Sequence, residues 1–305
     1  MTRFLLSRIL YGLVVVWAVA TITFFLMHLV PGGPFDTEKK FPPEILANIK
    51  AKYHLDQPLW RQYAFYMSDL SRLRFGPSFK YRNRRVEDIL GQTFPVSMYL
   101  GFCALMIAIA LGLSAGIISA LEHNRAFDRL SILAATLGIS LPGFVLATVL
   151  IYLCAHRLKI LPPALLEDWR HYLLPAFSLA AAPAAYLARL SRSSLLETIS
   201  RPFVSAARAR GIYGARLVMR HLLKNSLSPV VTVLGPLTAM LITGSFVIEK
   251  IFSIPGMGRY FITAVTNRDY PLIMAVTIVY AVLIVVMNII VDVAYALLDP
   301  RVRIR

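Results

Sequence analysis

The sequence predicts an all-α integral membrane protein with six transmembrane helices, and three observations lead to that fold class. Hydrophobic residues make up 57% of the chain and charged residues 16%, with a mean hydropathy of +0.64. A soluble domain carries about a quarter charged residues. The apolar residues are gathered into six runs, each near or above the roughly 20 residues that cross a bilayer core as a helix, the fourth being short. These are Ile9–Val30, Val96–Leu121, Leu130–Ala155, Leu173–Leu187, Leu227–Ile248 and Leu272–Leu298. Lysine and arginine are spread unevenly among the connecting segments. Backbone groups in lipid must be satisfied within their own segment, so the runs are helices rather than strands.

The first run follows a basic start at Arg3 and Arg8. It is longer than the roughly 7–15 residues of a signal-peptide core and no small-x-small cleavage site follows it, so it reads as a retained anchor. His28-Leu-Val-Pro31-Gly-Gly33 marks a helix end and a turn. With the N-terminus inside, the cytoplasmic segments hold fifteen Lys and Arg against six in the short external loops 156–172 and 249–271. The loop 31–95 is long enough to cross regardless of charge and is left out of the comparison. Both termini and 188–226 are therefore expected in the cytoplasm, and 31–95 outside. The net charge of +16 is then mostly topological, and basic residues split among loops separated by membrane argue against a nucleic-acid partner.

The chain divides near residue 95 into 1–94 (one helix plus a large external segment), 95–298 (five helices with short loops) and the tail 299–305. In the external segment a helix starts at Pro43, and Trp60, Tyr63, Met67 and Leu70 recur on one helical face. Phe75-Gly-Pro-Ser78 breaks that pattern, and a basic run from Lys80 to Arg85 follows. The segment is either a cap over helix ends or a platform for an external partner. Several spans are interrupted: at Pro142-Gly143, at Pro175 and Pro183, and at Pro229, Gly235-Pro236 and Gly244. Broken helices line binding cavities in transporters, while small residues also serve close helix packing. Pro142, Gly143, Pro183, Gly235, Pro236 and Asn288 are the candidate pathway residues. Asn288, Asp292 and Tyr295 share a face of the last span. Asp292 is expected to pair with a basic residue near the cytoplasmic end, a proton relay being the alternative. Cys103 and Cys154 fall inside spans and serve as small apolar fillers, and the six histidines lack metal-ligand spacing.

The most informative stretch is Ser200-Arg-Pro-Phe-Val-Ser205-Ala-Ala-Arg-Ala-Arg210-Gly-Ile-Tyr-Gly214. Pro202 suits a first helical position and Gly211 a C-terminal stop, giving a helix of about two turns. Phe203, Ala206, Ala207 and Arg210 fall on one side, a small-residue face with an aromatic anchor, which suits docking to another protein. The arginines by themselves suit anionic membrane lipid.

Ala206-Ala207-x3-Gly211 resembles the core of the EAA loop of bacterial ABC importer permeases, with Ser205 where that motif has Glu and His221-Leu-Leu-Lys-Asn225 in place of its usual tail. Leu29-Val-Pro-Gly32, Tyr53-His-Leu-Asp-Gln-Pro58 and Phe75-Gly-Pro-Ser78 extend the likeness along the chain. So do Glu249-x2-Phe252-x2-Pro255-Gly256-x-Gly258, Asn267-Arg-Asp-Tyr-Pro271 and Asp299-Pro-Arg-Val-Arg303. Together they resemble the oligopeptide/dipeptide importer permeases, and Gly76-Pro-Ser-Phe-Lys-Tyr81 with Phe94-Pro-Val-Ser97 looks closer to the oligopeptide member.

The resemblance implies a type I importer (MetI-like) permease fold with a helical external insertion, in a bacterial inner membrane. It implies a second homologous permease, two ABC ATPase subunits, an external peptide-binding protein and a peptide substrate. ATP and Mg would sit on the ATPase partners, since this chain has no G-x4-GK[ST] loop and is itself non-catalytic, with no cofactor. Phe203, Ala206, Ala207, Arg208, Arg210 and Gly211 would couple to the ATPase. Trp60, Tyr63, Phe75, Pro255, Gly256, Arg268 and Asp269 would form an external docking surface or gate. Relatives in this family carry oligopeptides, dipeptides, glutathione or nickel. Two rivals stand beside this reading. A secondary transporter would need more intramembrane charge than Asp292, and an intramembrane enzyme would need motifs the sequence lacks.

Overall fold

A computed structural model describes residues 2–30, 34, 51, 53–81 and 83–298, with side chains described from residue 6 to residue 293 of these. The expected helix start at Pro43, the turn Pro31–Gly33, the tail 299–305 and the side chain of Tyr295 lie outside the described residues. The described chain is helical: α1 (Thr2–Leu29), α2 (Leu59–Ser71), α3 (Val86–Leu121), α4 (Ala126–Ser140), α5 (Gly143–Leu150), α6 (Leu173–Ile199), α7 (Pro202–Ala209), α8 (Gly214–Leu217), α9 (Leu223–Ser226), α10 (Ser228–Ile242), α11 (Phe246–Ile251), α12 (Met257–Asn267) and α13 (Tyr270–Leu298). Wide π turns continue α5 through Arg157 and join α8 to α9. Among the described residues, five stretches are long and apolar enough to span a membrane, and the bent pair α4–α5 makes a sixth if taken as one.

The scaffold is the pair α3 and α6, which pack along much of their length. Gly112 and Gly116, one turn apart on α3, let the backbones approach. A Cβ at Gly112 would lie 2.7 Å from the Ala184 carbonyl oxygen, and one at Gly116 would strike Ala188 and Ser191. Small residues at the contact are how helices associate in lipid, where apolar burial gives no preference for helix over lipid. Both helices outrun their apolar stretches. α3 starts ten residues before Val96 because Val86, Ile89 and Leu90 are buried against Met257, Ala264 and Leu272, so the division at residue 95 falls inside a helix. α6 continues past Leu187 to Ile199 because Ser191, Leu195 and Thr198 prolong its buried face.

The prolines act differently from one another. α6 runs through Pro183 without a break, contrary to the expected interruption, and Pro183 is buried. Pro175 occupies the first turn, where backbone amides have no helical partner to lose. Pro142, by contrast, separates α4 from α5, and the two legs bend by 106°. α10 contains Pro236 and ends before Gly244, whose φ of +75° is the left-handed conformation that turns the chain into α11.

α1 lies along α13, with Gly12 against Val285, Ala20 and Phe24 buried, and Arg8 Nε 3.0 Å from Asp292 Oδ2. α2 docks on α1 through Tyr63, whose hydroxyl is 2.8 Å from that of Thr21, and through Gln62, 3.2 Å from His28 Nε2. Its inward face includes Tyr63, Tyr66, Met67 and Leu70. Trp60 does not belong to it: the ring is 65% exposed and carries the Arg61 guanidinium 5.1 Å from its centroid. Large apolar side chains such as Leu10, Trp17, Leu133 and Leu137 are exposed along the spans, as surface that meets lipid or another membrane subunit must be.

Candidate functional site

The loop after α6 folds on a small core of its own. Pro202 opens α7 from an extended Arg201. At the other end the Gly211 amide donates to Arg208 O at 2.9 Å and the Ile212 amide to Ala207 O at 3.1 Å, with Gly211 at φ +77°. This is a Schellman stop, and the apolar residue after the glycine packs back on the helix as such stops favour. Val204 and Ala207 of α7, Leu217 and Leu222 beyond it, Leu195 of α6 and Ala120 of α3 form the buried cluster, with Ile212 against it.

Ala207 is therefore turned inward, 3% exposed, and does not share the outer face expected of it. The face is set by Val204 and Ala207 at i, i+3, a pair overshadowed in the sequence by the adjacent small residues. Phe203, Ala206 and Arg210 do point outward together, with Arg208 and Gly211 also exposed. Further along the loop, Tyr213 and Met219 are 64% and 68% exposed. The result is a short rigid ridge, small and aromatic in character and rimmed by cations, seated on the scaffold.

A second group fastens the scaffold on the side of the loop 122–129. Asp128, 2% exposed, accepts from Arg192 Nε at 2.7 Å and Nη2 at 2.9 Å, from Ser119 Oγ at 2.5 Å and from the Asn124 amide at 2.8 Å. His123 Nδ1 lies 3.1 Å from Arg192. A bidentate guanidinium–carboxylate pair fixes angle as well as distance. It ties the α3–α4 connection to α6 ten residues ahead of α7. Sequence reasoning missed this cluster. Arg192 reads as one of the eight basic residues of 188–226, and nothing local points to a partner 64 residues away.

At the opposite end, two carboxylates hold backbone. Glu249 is fully buried. Its Oε1 accepts from Ser97 Oγ at 2.7 Å and its Oε2 from the Arg259 amide at 3.0 Å, while Ser97 Oγ accepts from the Met257 amide at 2.8 Å. These amides are the first turn of α12, which has no helical partners for them and favours a negative charge. Gly256 and Gly258 are needed because a Cβ at either would press on the Glu249 carboxylate, at 2.5 Å and 3.0 Å. The run Glu249 to Gly258 is thus a structural lock.

Asp269, also fully buried, accepts from the Ser78 hydroxyl and from the Phe79 amide at 3.1 Å. It joins the Phe75–Ser78 loop to the start of α13. Glu87 accepts from the Phe75 amide at 2.6 Å. The Tyr81 and Tyr260 rings lie 5.5 Å apart, and burial, with Tyr260 and Asp269 beside it, raises the Tyr81 phenol above its ordinary pKa. Of the residues expected to form an external docking surface or gate, Phe75 packs on the cluster around Val86, Met257 and Leu272, Gly256 and Asp269 are buried, Tyr63 adjoins the Phe24–Tyr270–Met274 cluster, and Pro255 and Trp60 are exposed.

The candidate pathway residues lie at the α4–α5 corner and on α6, α10 and α13. Gly235 makes room for Val291 where α10 crosses α13, and Pro183 is buried in the scaffold, so both serve packing within this chain. Pro142 and Gly143 form the α4–α5 corner, Pro236 lies within α10, and Asn288 is exposed on α13.

Residues 112–304 match the family described as binding-protein-dependent transport system inner membrane component, and residues 1–101 match the N-terminal part of such components. The dipeptide transport system permease protein DppB of Bacillus subtilis is 43% identical over 100% of this chain and 99% of its own. The oligopeptide transport system permease proteins OppB of Haemophilus influenzae and of Escherichia coli K12 are each 41% identical, over 99% of this chain and 100% of theirs. Among solved structures, an inward-facing MetNI methionine ABC transporter superposes with a TM-score of 0.55 at 17% identity, covering 69% of this chain and 96% of that one. An amino acid ABC transporter crystallised with histidines gives a TM-score of 0.53, covering 71% and 95%.

Proposed function

This chain belongs to the binding-protein-dependent transport system inner membrane components, the permeases of ABC importers, and we propose that its cargo is peptide, moved into the cytoplasm by alternating access. It is a multi-pass membrane protein of a bacterial inner membrane, and it is not the catalytic subunit of its importer. Peptide is supported by relatives on both branches, which stand at 43% and 41% identity and so do not separate dipeptide from oligopeptide. Oligopeptide is the finer reading, carried by Gly76–Tyr81 and Phe94–Ser97.

The observation that carries the mechanism is the seating of α7. Its inner face is committed to the chain's own core while Phe203, Ala206 and Arg210 remain available. Such a ridge suits a groove on an ABC ATPase. The partners proposed are a second homologous permease, two ATPase subunits holding ATP and Mg, and an external peptide-binding protein. Both termini and α7 would lie in the cytoplasm, and α2 and α12 outside. Closure of the ATPases on ATP would push α7, the Asp128–Arg192 tie would carry the push to α3 and α6, and the helices would rock about a central cavity. A secondary transporter is disfavoured, because Asp292 is paired with Arg8 at 3.0 Å.

The test is co-purification of the tagged chain followed by reconstitution with its binding protein. Two ATPases, a second permease and peptide-stimulated ATP hydrolysis are expected. Peptide uptake that follows an ion gradient without ATP would overturn the reading.

A further inference from the structure

Beside the Glu249 lock, a cleft of about 430 Å³ opens between the end of α11 and the outer face of α12. Its volume lies within the roughly 300–1,000 Å³ of ligand sites. Lys250 and Arg259 line it together with Ser253, Thr263, Thr266 and Asn267. Both cations are exposed, and neither forms a salt bridge with a carboxylate among the described residues. The two nearby acids are spoken for: Glu249 and Asp269 are fully buried on backbone amides and hydroxyls. A second cleft of about 240 Å³ shares Arg259 and Thr263 and continues the first with Tyr81, Pro255 and Tyr260.

The cations are also well placed. The Arg259 amide is fixed on Glu249 at 3.0 Å, and the Thr263 hydroxyl donates to Arg259 O at 3.0 Å, so the root of the guanidinium is held on both sides. A planar guanidinium matches a carboxylate in a two-bonded fork, and a nearby ammonium adds charge without geometry. The aromatic continuation offers an apolar wall to whatever is attached to that carboxylate.

We propose that this joined cleft is a subsite for the C-terminal carboxylate of the transported peptide, with Arg259 and Lys250 on the carboxylate and Tyr81 and Tyr260 along the preceding residue. The inference rests on the peptide reading above. It gives the external surface a role in selecting cargo as well as in docking.

The experiment uses the reconstituted complete importer and two probes, trialanine with its free carboxylate and trialaninamide. The wild-type importer takes the acid in preference to the amide. Arg259→Gln lowers that preference by about tenfold, the effect of losing one charge-assisted hydrogen bond. Lys250→Gln lowers it less, and Arg259→Lys keeps part of it. Assembly of each variant is followed by co-purification of the ATPases, and Lys250→Gln serves where an Arg259 variant fails to assemble. An acid-to-amide preference unchanged in the variants overturns the proposal, as does a wild type without any preference. Equal loss of both probes also overturns it and assigns the cations to an acidic partner protein or to lipid. A wild type that carries neither these probes nor any other peptide, while still coupling ATP hydrolysis to another cargo, overturns the peptide reading itself and this inference with it.

Discussion

The two ends of this permease are held by different physics. The α7 end is held by an apolar core, Val204, Ala207, Leu195 and Leu222, and by a guanidinium–carboxylate pair, Asp128 with Arg192. The α12 end is held by two fully buried carboxylates, Glu249 and Asp269, set mainly on backbone amides and serine hydroxyls. An apolar core can be pushed as a unit and leaves its outer face free for a partner. A carboxylate set on a helix start fixes a turn in one shape, because it accepts from amides that have no partner within the helix. The difference suits a lever at one end and a fixed mouth at the other.

The comparison is broken most severely at Glu249. Glu249→Leu strands the Arg259 amide and the Ser97 hydroxyl, at about 3 kcal/mol. The expected result is loss of folded protein in detergent, read by size-exclusion yield, whereas Glu249→Gln keeps the shape and part of the yield. Wild-type yield for the leucine variant would show that the lock is not needed.

At the other end, Asp128→Ala leaves Arg192 without its carboxylate. Removing one partner of a buried pair costs about 3–5 kcal/mol. The Arg192 side chain is 21% exposed, so about 2 kcal/mol is expected here. Thermal inactivation should shift down, and ATP hydrolysis should lose its dependence on peptide before the complex falls apart.

Gly211→Ala sharpens the account with a smaller effect. Nothing lies within 4 Å of the added Cβ, so the cost is the left-handed conformation alone, about 1 kcal/mol. Weaker ATPase retention at elevated temperature is expected, with normal assembly in the cold.

The smallest effect belongs to Asp292→Asn. Arg8 and Asp292 side chains are 47% and 30% exposed, and a pair so open is worth less than about 1 kcal/mol. Yield should fall slightly and the pH profile of uptake should stay as in the wild type. A shifted profile with full yield would favour proton coupling.

The spans were legible in the sequence because lipid demands long apolar runs, and α7 was legible because Pro202 and Gly211 mark its two ends locally. Helix lengths were not. Val86 to Phe94 and Ala188 to Ile199 look like loop by hydropathy and are helical because their buried faces meet other elements. The same limit hid the orientation of Ala207, which depends on Leu217 and Leu222 lying beneath it, and the partner of Arg192. Trp60 shows the converse: a periodic aromatic at a helix start that stays 65% exposed. The run Glu249 to Gly258 was visible as a motif, but the reason for its glycines is the buried carboxylate they surround.

The central claim is that α7 presents Phe203, Ala206 and Arg210 to an ATPase while Ala207 faces the permease's own core. It is tested most directly by cysteine cross-linking in the assembled importer, with Cys103 and Cys154 replaced. The account predicts that Ala206→Cys forms an ATPase adduct with a short bifunctional thiol reagent, that this adduct changes in yield when ATP is bound, and that Ala207→Cys forms none. Adducts through position 207 with none through 206, or adducts to lipid alone at both, would contradict it.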